Sequence, residues 1–281
     1  MHRPELGKKT VLFLAQKKTK GEKIAAVTAF DFPTARIAAE AGVDIILVGD
    51  SLGMALQGRE NTLKVTMDDM VYHTSLVARA RPPALVVSDM PYGSFHGSIE
   101  KSVENACRFI KEGGAEAVKL EGGRKRFQVI EALLNAEIPV MAHLGLTPQS
   151  VLRMGGFKVQ GKLREKAREI LADAQALEKL GVFAIVLESI PQELAKKISA
   201  NLNIPTIGIG AGPFCDGQVL VFSDLVGLTS MNLPKFVRQY ADTLAIWQKA
   251  LREYVRDVQS AAFPDDHESY HLHKDIDEFL K

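Results

Sequence analysis

Cysteine is scarce in this chain. Its two cysteines, Cys107 and Cys215, lie far apart in the 281 residues. They form neither a disulfide framework nor a paired CxxC metal motif, so a reducing, cytoplasmic setting is expected. Charge of one sign is missing too. Lysine and arginine number 35 against 34 aspartates and glutamates, with no basic run. That balance argues against nucleic acid or an anionic membrane surface as partner. No apolar run reaches the roughly 20 residues a membrane helix needs. The apolar patch at 11–15 is too short for a secretory core, and no small-residue cleavage site follows it. It reads instead as an amphipathic helix with Thr10 as N-cap. Linkers rich in Pro or Ser and low-complexity segments are absent as well, so one domain over 1–281 is expected. Residues 1–22 form its lead-in helix and 260–281 a polar tail.

What is present is a repeated alternation. Strand-like runs occur over 25–28, 44–49, 84–89, 117–121, 139–144, 184–188, 205–210 and 218–222. Most are continuous apolar runs, the pattern of parallel strands covered on both faces. Helical spacing marks 33–41, 67–80, 99–112, 125–136, 163–180 and 192–201. Gly42, Gly113 and Gly181 stand where helix C-caps favour glycine, and Thr66 with Asp69 makes a near capping box. Eight strands in βα order predict an α/β fold, a (β/α)8 TIM barrel, with a doubly wound sheet as the alternative. The short link at 212–217 is the weak point of the count. The chain after Lys235 is expected to be helical to about Gln259, a C-terminal extension able to pack on the barrel or on a neighbouring subunit.

In such a barrel the active site is built at the strand ends and the loops that follow. The second run ends in Asp50 and Ser51, the third in Asp89. The fourth carries Lys119 and Glu121, two apart and so on one side of the strand. His143 lies in the fifth run, and Glu188 ends the sixth. Four acids, one lysine and one histidine in one mouth would repel strongly unless a cation joined them. Oxygen donors without thiolates suit a hard divalent ion, magnesium first. A 2-oxo acid would then chelate through its keto and carboxylate oxygens.

Each residue also has a plainer reading. Asp50 and Asp89 would serve as turn formers. Lys119 and Glu121 would make a rim ion pair, His143 a core hydrogen bond, and Glu188 a cap for the helix starting near Pro191. Taken singly, none of the six decides the matter. Other candidates rank lower. His73 fits a structural role within its helix, and His96 lies on a loop within reach of substrate. His267, His271 and His273 lack the spacing of a closed zinc site. Cys215 has no histidine placed to activate it. The run "GIGAG" is a weak phosphate cradle without a P-loop lysine.

Longer motifs carry a resemblance. "VTAFDFPTARIAAEAGVDIILVGDSLGM", "TMDDMVYHT", "VVSDMPYGSF", "AVKLEGG", "VMAHLGLTPQS", "GGFKVQGK", "VLESIP" and "IGIGAG" followed by "CDGQVLV" occur in this order. Together they resemble the 3-methyl-2-oxobutanoate hydroxymethyltransferase (ketopantoate hydroxymethyltransferase) family from about residue 8 to about residue 270. The resemblance implies a magnesium-dependent barrel that uses 5,10-methylenetetrahydrofolate. It implies Asp50 and Asp89 as metal ligands, with Glu121 acting on the metal through water. Ser51 and Lys119 would hold the 2-oxo acid, with Asp50, Asp89 and His143 also in its pocket, and Glu188 would be the catalytic base. A homodecamer of two stacked pentamers is implied as well. The nearest rival is a magnesium barrel lyase or phosphoenolpyruvate mutase-like enzyme. The loop such an enzyme carries after a middle strand often holds a cysteine. Here the loop reads "GLTPQSVLRMGGFKVQGK" and has none. A non-catalytic barrel would be expected to have lost some of the strand-end polar groups, and none is lost.

Overall fold

The computed structural model describes residues 7–229 and 233–272. Eight parallel strands close into one barrel in sequence order: β1 (Ile24–Thr28), β2 (Ile45–Val48), β3 (Leu85–Asp89), β4 (Ala117–Glu121), β5 (Val140–Gly145), β6 (Ala184–Glu188), β7 (Thr206–Ile209) and β8 (Gly217–Leu220). Closure through the β8–β1 pair, with Ala25 opposite Gln218, excludes the doubly wound alternative. The helices are α1 (Val11–Lys20), α2 (Phe32–Glu40), α3 (Leu52–Ala55), α4 (Met67–Arg79), α5 (Ile99–Arg108), α6 (Phe127–Asn135), α7 (Val151–Met154), α8 (Arg164–Leu180), α9 (Gln192–Asn201), α10 (Phe222–Leu225) and α11 (Thr243–Gln259). No helix among the described residues is long and apolar enough to cross a membrane.

Strand alternation explains why the apolar runs are continuous. In β2, Ile46 and Val48 join the core between strands and helices, while Ile45 and Leu47 point into the barrel. Leu85, Val87, Ala117, Met141, Ala184, Val186, Ile207 and Val219 fill the barrel with them. Both faces are dry, so both positions of the two-residue repeat are apolar. Toward the C-terminal end the same inward positions turn polar. Asp89 follows Val87, Lys119 and Glu121 follow Ala117, His143 follows Met141, and Glu188 follows Val186.

The other end of the barrel is shut. Leu14 of α1 packs into the interior cluster with no exposed surface. Thr10 caps α1 by accepting from the Phe13 N–H. Lysines on and beside α1 reach acids at the strand starts: Lys9 and Lys17 to Asp44, and Lys18 to Asp216. The Thr66–Asp69 capping box opens α4 as expected.

Three local expectations need correction. α5 continues through one wide turn at Phe109–Gly113, so the left-handed cap is Gly114 rather than Gly113. β8 ends at Leu220, and α10 begins at Phe222 inside the expected strand. The segment after Lys235 is not helical until Thr243. Its amides turn back to α10 instead: Tyr240 N–H donates to Leu225 O and Thr243 N–H to Val226 O, before Asp242 caps α11. The tail beyond Ser260 contains a short turn at Asp266–Glu268. His273 lies outside the described residues. β7 joins β8 without a helix, and Gly217 at the start of β8 lets that strand lie close against β1. A Cβ there would lie 2.6 Å from the Ile24 carbonyl oxygen.

Candidate active site

The seven strand-end residues Asp50, Ser51, Asp89, Lys119, Glu121, His143 and Glu188 all line one cavity of about 670 Å³ at the C-terminal mouth. Leu47, Val186 and Val219 lie among its walls, and Phe157, Val159 and Phe236 come from the segments after β5 and after α10.

The contacts run from strand to strand. Asp89 Oδ1 lies 2.9 Å from Lys119 Nζ. Its Oδ2 accepts from the Asp50 backbone N–H at 3.2 Å. Lys119 Nζ is 3.3 Å from His143 Nδ1. His143 Nε2 is 3.1 Å from Glu188 Oε2, though not aligned for a hydrogen bond. An ammonium facing Nδ1 makes that nitrogen the acceptor and puts the imidazole proton on Nε2, toward Glu188.

The electrostatics of this group are unbalanced. Burial pushes the Asp50 carboxyl up, and the nearby Asp89 pushes it further against Lys119 and Gln149. Burial and Asp50 raise Glu121 well above the carboxylate range. Burial raises Glu188 to about 7, with Lys119 opposing. Burial works against the Lys119 charge, but Asp89, Glu121 and Asp50 outweigh it and keep the ammonium protonated. Burial and Lys119 together hold His143 neutral. Four acids thus share one cation. That excess of negative charge on hard oxygen donors fits a divalent ion of the magnesium type. Asp50, Asp89 and Glu121 are the residues that could hold it. Among the described residues no three His, Cys, Asp or Glu side chains converge closely enough to hold a metal ion by themselves. An ion held directly by two carboxylates keeps its other positions for water and substrate.

Glu188 is the most accessible of these acids. Its side chain is 16% exposed, whereas those of Asp89, Lys119, Glu121 and His143 are at most 5%. Two backbone features fix it. Gly145 has φ +98°, and a Cβ there would come within 2.2 Å of the Glu188 carbonyl oxygen, which accepts from Leu146 N–H at 2.9 Å. Ser189 is a non-glycine residue at φ +48°, a strained conformation of the kind that gathers at functional sites.

The sequence missed Gln149. It lies on the loop after β5, whose length and glycines were the available signal. Its Nε2 donates to Asp50 Oδ2 at 2.8 Å and to Met90 O at 2.9 Å. Its backbone N–H donates to Glu121 Oε2 at 3.0 Å. Lower-ranked residues separate cleanly from the site. His73 bonds the Phe30 carbonyl at 2.7 Å, a structural role. His96 does not line the cavity; it packs against Phe95, and burial with Arg126 lowers it to about 4. Burial raises the Cys215 thiol, which leaves it a poor nucleophile. Gly210 of "GIGAG" lies under Phe236 and is not an open cradle. Gly53, just after Ser51, serves close packing: a Cβ there would lie 2.6 Å from Val65 Cγ2.

Residues 8–266 match the family described as ketopantoate hydroxymethyltransferase. The chain is 53% identical over 267 residues to a 3-methyl-2-oxobutanoate hydroxymethyltransferase of Thermoanaerobacter pseudethanolicus, covering 95% of this chain and 97% of that one. It is 52% identical over 263 residues to a protein of the same name from Geobacter metallireducens, covering 94% and 98%. Among solved structures, a phosphonopyruvate hydrolase in complex with oxalate and magnesium superposes with TM-score 0.60 at 15% identity over 98% and 97% of the chains. A 2,3-dimethylmalate lyase superposes at 0.56 and 17% identity over 92% and 91%. At such identities these two show a shared fold and nothing of the reaction.

Proposed function

The chain belongs to the ketopantoate hydroxymethyltransferase family, and from that premise we propose its reaction. It transfers a one-carbon unit from 5,10-methylenetetrahydrofolate to 3-methyl-2-oxobutanoate, giving 2-dehydropantoate and tetrahydrofolate on the route to pantothenate. The observation that carries this reading is the cavity itself. One mouth gathers an acid-rich cation site, a protonated lysine and a carboxyl raised to about 7.

In this reading Asp50 and Asp89 hold a magnesium ion, with Glu121 acting through water. Bound there, the ion would supply Lewis-acid stabilisation of negative charge on the keto oxygen. Lys119 and Ser51 bind the substrate carboxylate. Lys119 serves as a charge and not as a Schiff-base nucleophile, because its acid neighbours keep it protonated. Glu188 takes the proton from C3 as general base. A pKa near neutrality suits a base that must be ionised to accept and acidic enough to return the proton. His143 carries no charge; it spans Lys119 and Glu188 and keeps their spacing. C3 then bonds to the folate methylene carbon as its bond to one folate nitrogen breaks, and water adds the hydroxyl oxygen as the second carbon–nitrogen bond breaks. Tetrahydrofolate leaves with one proton from C3 and one from the water on its two nitrogens.

The proposed assembly is a homodecamer in the cytoplasm. The exposed apolar side chains of α11, Ile246, Trp247, Leu251 and Tyr254, support association with further copies; light scattering would measure it. The decisive assay supplies 3-methyl-2-oxobutanoate, methylenetetrahydrofolate and magnesium. Formation of 2-dehydropantoate is expected, and its absence would overturn the proposal. A borohydride-trapped adduct at Lys119 would overturn the role given to that residue.

A further inference from the structure

We propose that Gln149 is a positioning residue for the metal ligands, tying the loop after β5 to two carboxylates at once. The inference rests on reading this site as a magnesium centre. Gln149 is buried at 6% exposure. Its Nε2 faces two acceptors, Asp50 Oδ2 at 2.8 Å and Met90 O at 2.9 Å, so the amide has one admissible orientation. Its main-chain N–H holds Glu121 Oε2 at 3.0 Å. One residue therefore fixes an oxygen on each of two acids that come from different strands and otherwise repel each other. Outer partners of this kind orient ligands and tune affinity. The Gln149 Oε1 is also buried and has no donor among the described residues. It is free to accept from a donor that arrives with the metal, such as a coordinated water. Asp50 and Glu121 thus depend on the loop, and the loop on them.

The test measures magnesium binding to the metal-free protein by calorimetry, with manganese(II) binding followed by electron paramagnetic resonance. Gln149→Met keeps length and removes every side-chain hydrogen bond. Its Kd for either ion is expected to rise by about 10- to 100-fold. Gln149→Asn keeps the amide but shortens its reach, and a smaller rise is expected; it decides the question should the Met variant not fold. A merely structural residue would lower the melting temperature of the metal-free protein and leave Kd unmoved. A folded variant whose Kd stays within about twofold of the parent therefore overturns the inference. A parent that binds neither ion overturns the metal reading itself, which is a different result.

Discussion

Asp44 and Asp50 flank the same strand, β2, and both are buried at 4% exposure. Asp44 stands at the closed end of the barrel. Lys9 and Lys17 reach its two oxygens at 2.8 and 2.7 Å, and the Ala25 N–H adds a third bond at 2.9 Å. Burial alone would raise its carboxyl, but these partners hold it below the usual range. Asp50 stands at the open end among Asp89, Glu121 and a single lysine, and its carboxyl is raised. The same residue type at the same surface exposure is stabilising at one end and destabilising at the other. The difference lies in the neighbours and in the deeper burial of Asp50. The base satisfies its charges within the chain, whereas the mouth leaves negative charge for a ligand to balance.

The largest effect expected falls at the mouth. Glu188→Gln should slow exchange of the substrate C3 proton by about a thousandfold, within the range for loss of a general base. Substrate binding with magnesium should persist, as checked by calorimetry. Full exchange in that variant would remove Glu188 from the role.

The comparison itself is tested by a pair of substitutions with opposite signs. Asp44→Asn strands two lysines and should cost about 2–3 kcal/mol, the low side for a broken buried pair because the lysines keep some water contact. Asp50→Asn removes a repelling charge and should leave the metal-free protein unchanged or stabilise it, by at most roughly 3 kcal/mol at pH 8. Denaturant titrations of both would decide. Equal losses would mean that the two ends do not differ in this way.

The pH dependence should divide the ends too. Asp44 binds its proton less readily folded than unfolded, so its stabilisation is full above the unfolded carboxylate pKa and fades as pH falls below about 4. Glu188, near 7 folded against 4.5 in its ordinary state, works the other way. Its burial costs stability progressively as pH rises from about 4.5 to about 7, and the cost levels off above. Metal-free protein should therefore melt lower at pH 8 than at pH 5.5, and magnesium should recover part of the loss at pH 8. Proton exchange should rise with pH through about 7, and Glu188→Gln should lack that inflection. The smallest effect expected is for Ser51→Ala: about a 3- to 10-fold rise in KM for the 2-oxo acid, the weight of one hydrogen bond.

Much of the architecture was legible in the sequence because burial on both faces leaves a mark that survives without coordinates. Continuous apolar runs 4–6 residues long, separated by helical periods, identify parallel strands, and eight of them close a barrel. The strand-end residues were legible for a related reason. A polar residue that ends an apolar strand at an inward position points into the mouth. Asp89, Lys119, Glu121, His143 and Glu188 all do. Asp50 has the outward parity of Ile46 and Val48 and joins them in one cavity only because the chain turns just past the end of β2. Gln149 was not legible. A glutamine on a loop has no periodicity to give it away, and its partners lie 99 and 28 positions distant. Nor was the start of α11, because the intervening amides bond to α10 rather than to their own segment.

The strands and the residue types at their ends follow from local patterning and alternation, which are properties of the chain. Closure of the sheet, and what those end residues became, follow from the folded arrangement. Asp44 and Asp50 are six positions apart and chemically identical. One is a structural anchor and the other a candidate ligand because closure of the barrel brings lysines to the first and carboxylates to the second. Electrostatic character depends on distance in space and on exclusion of water, and neither is written in the order of residues along β2.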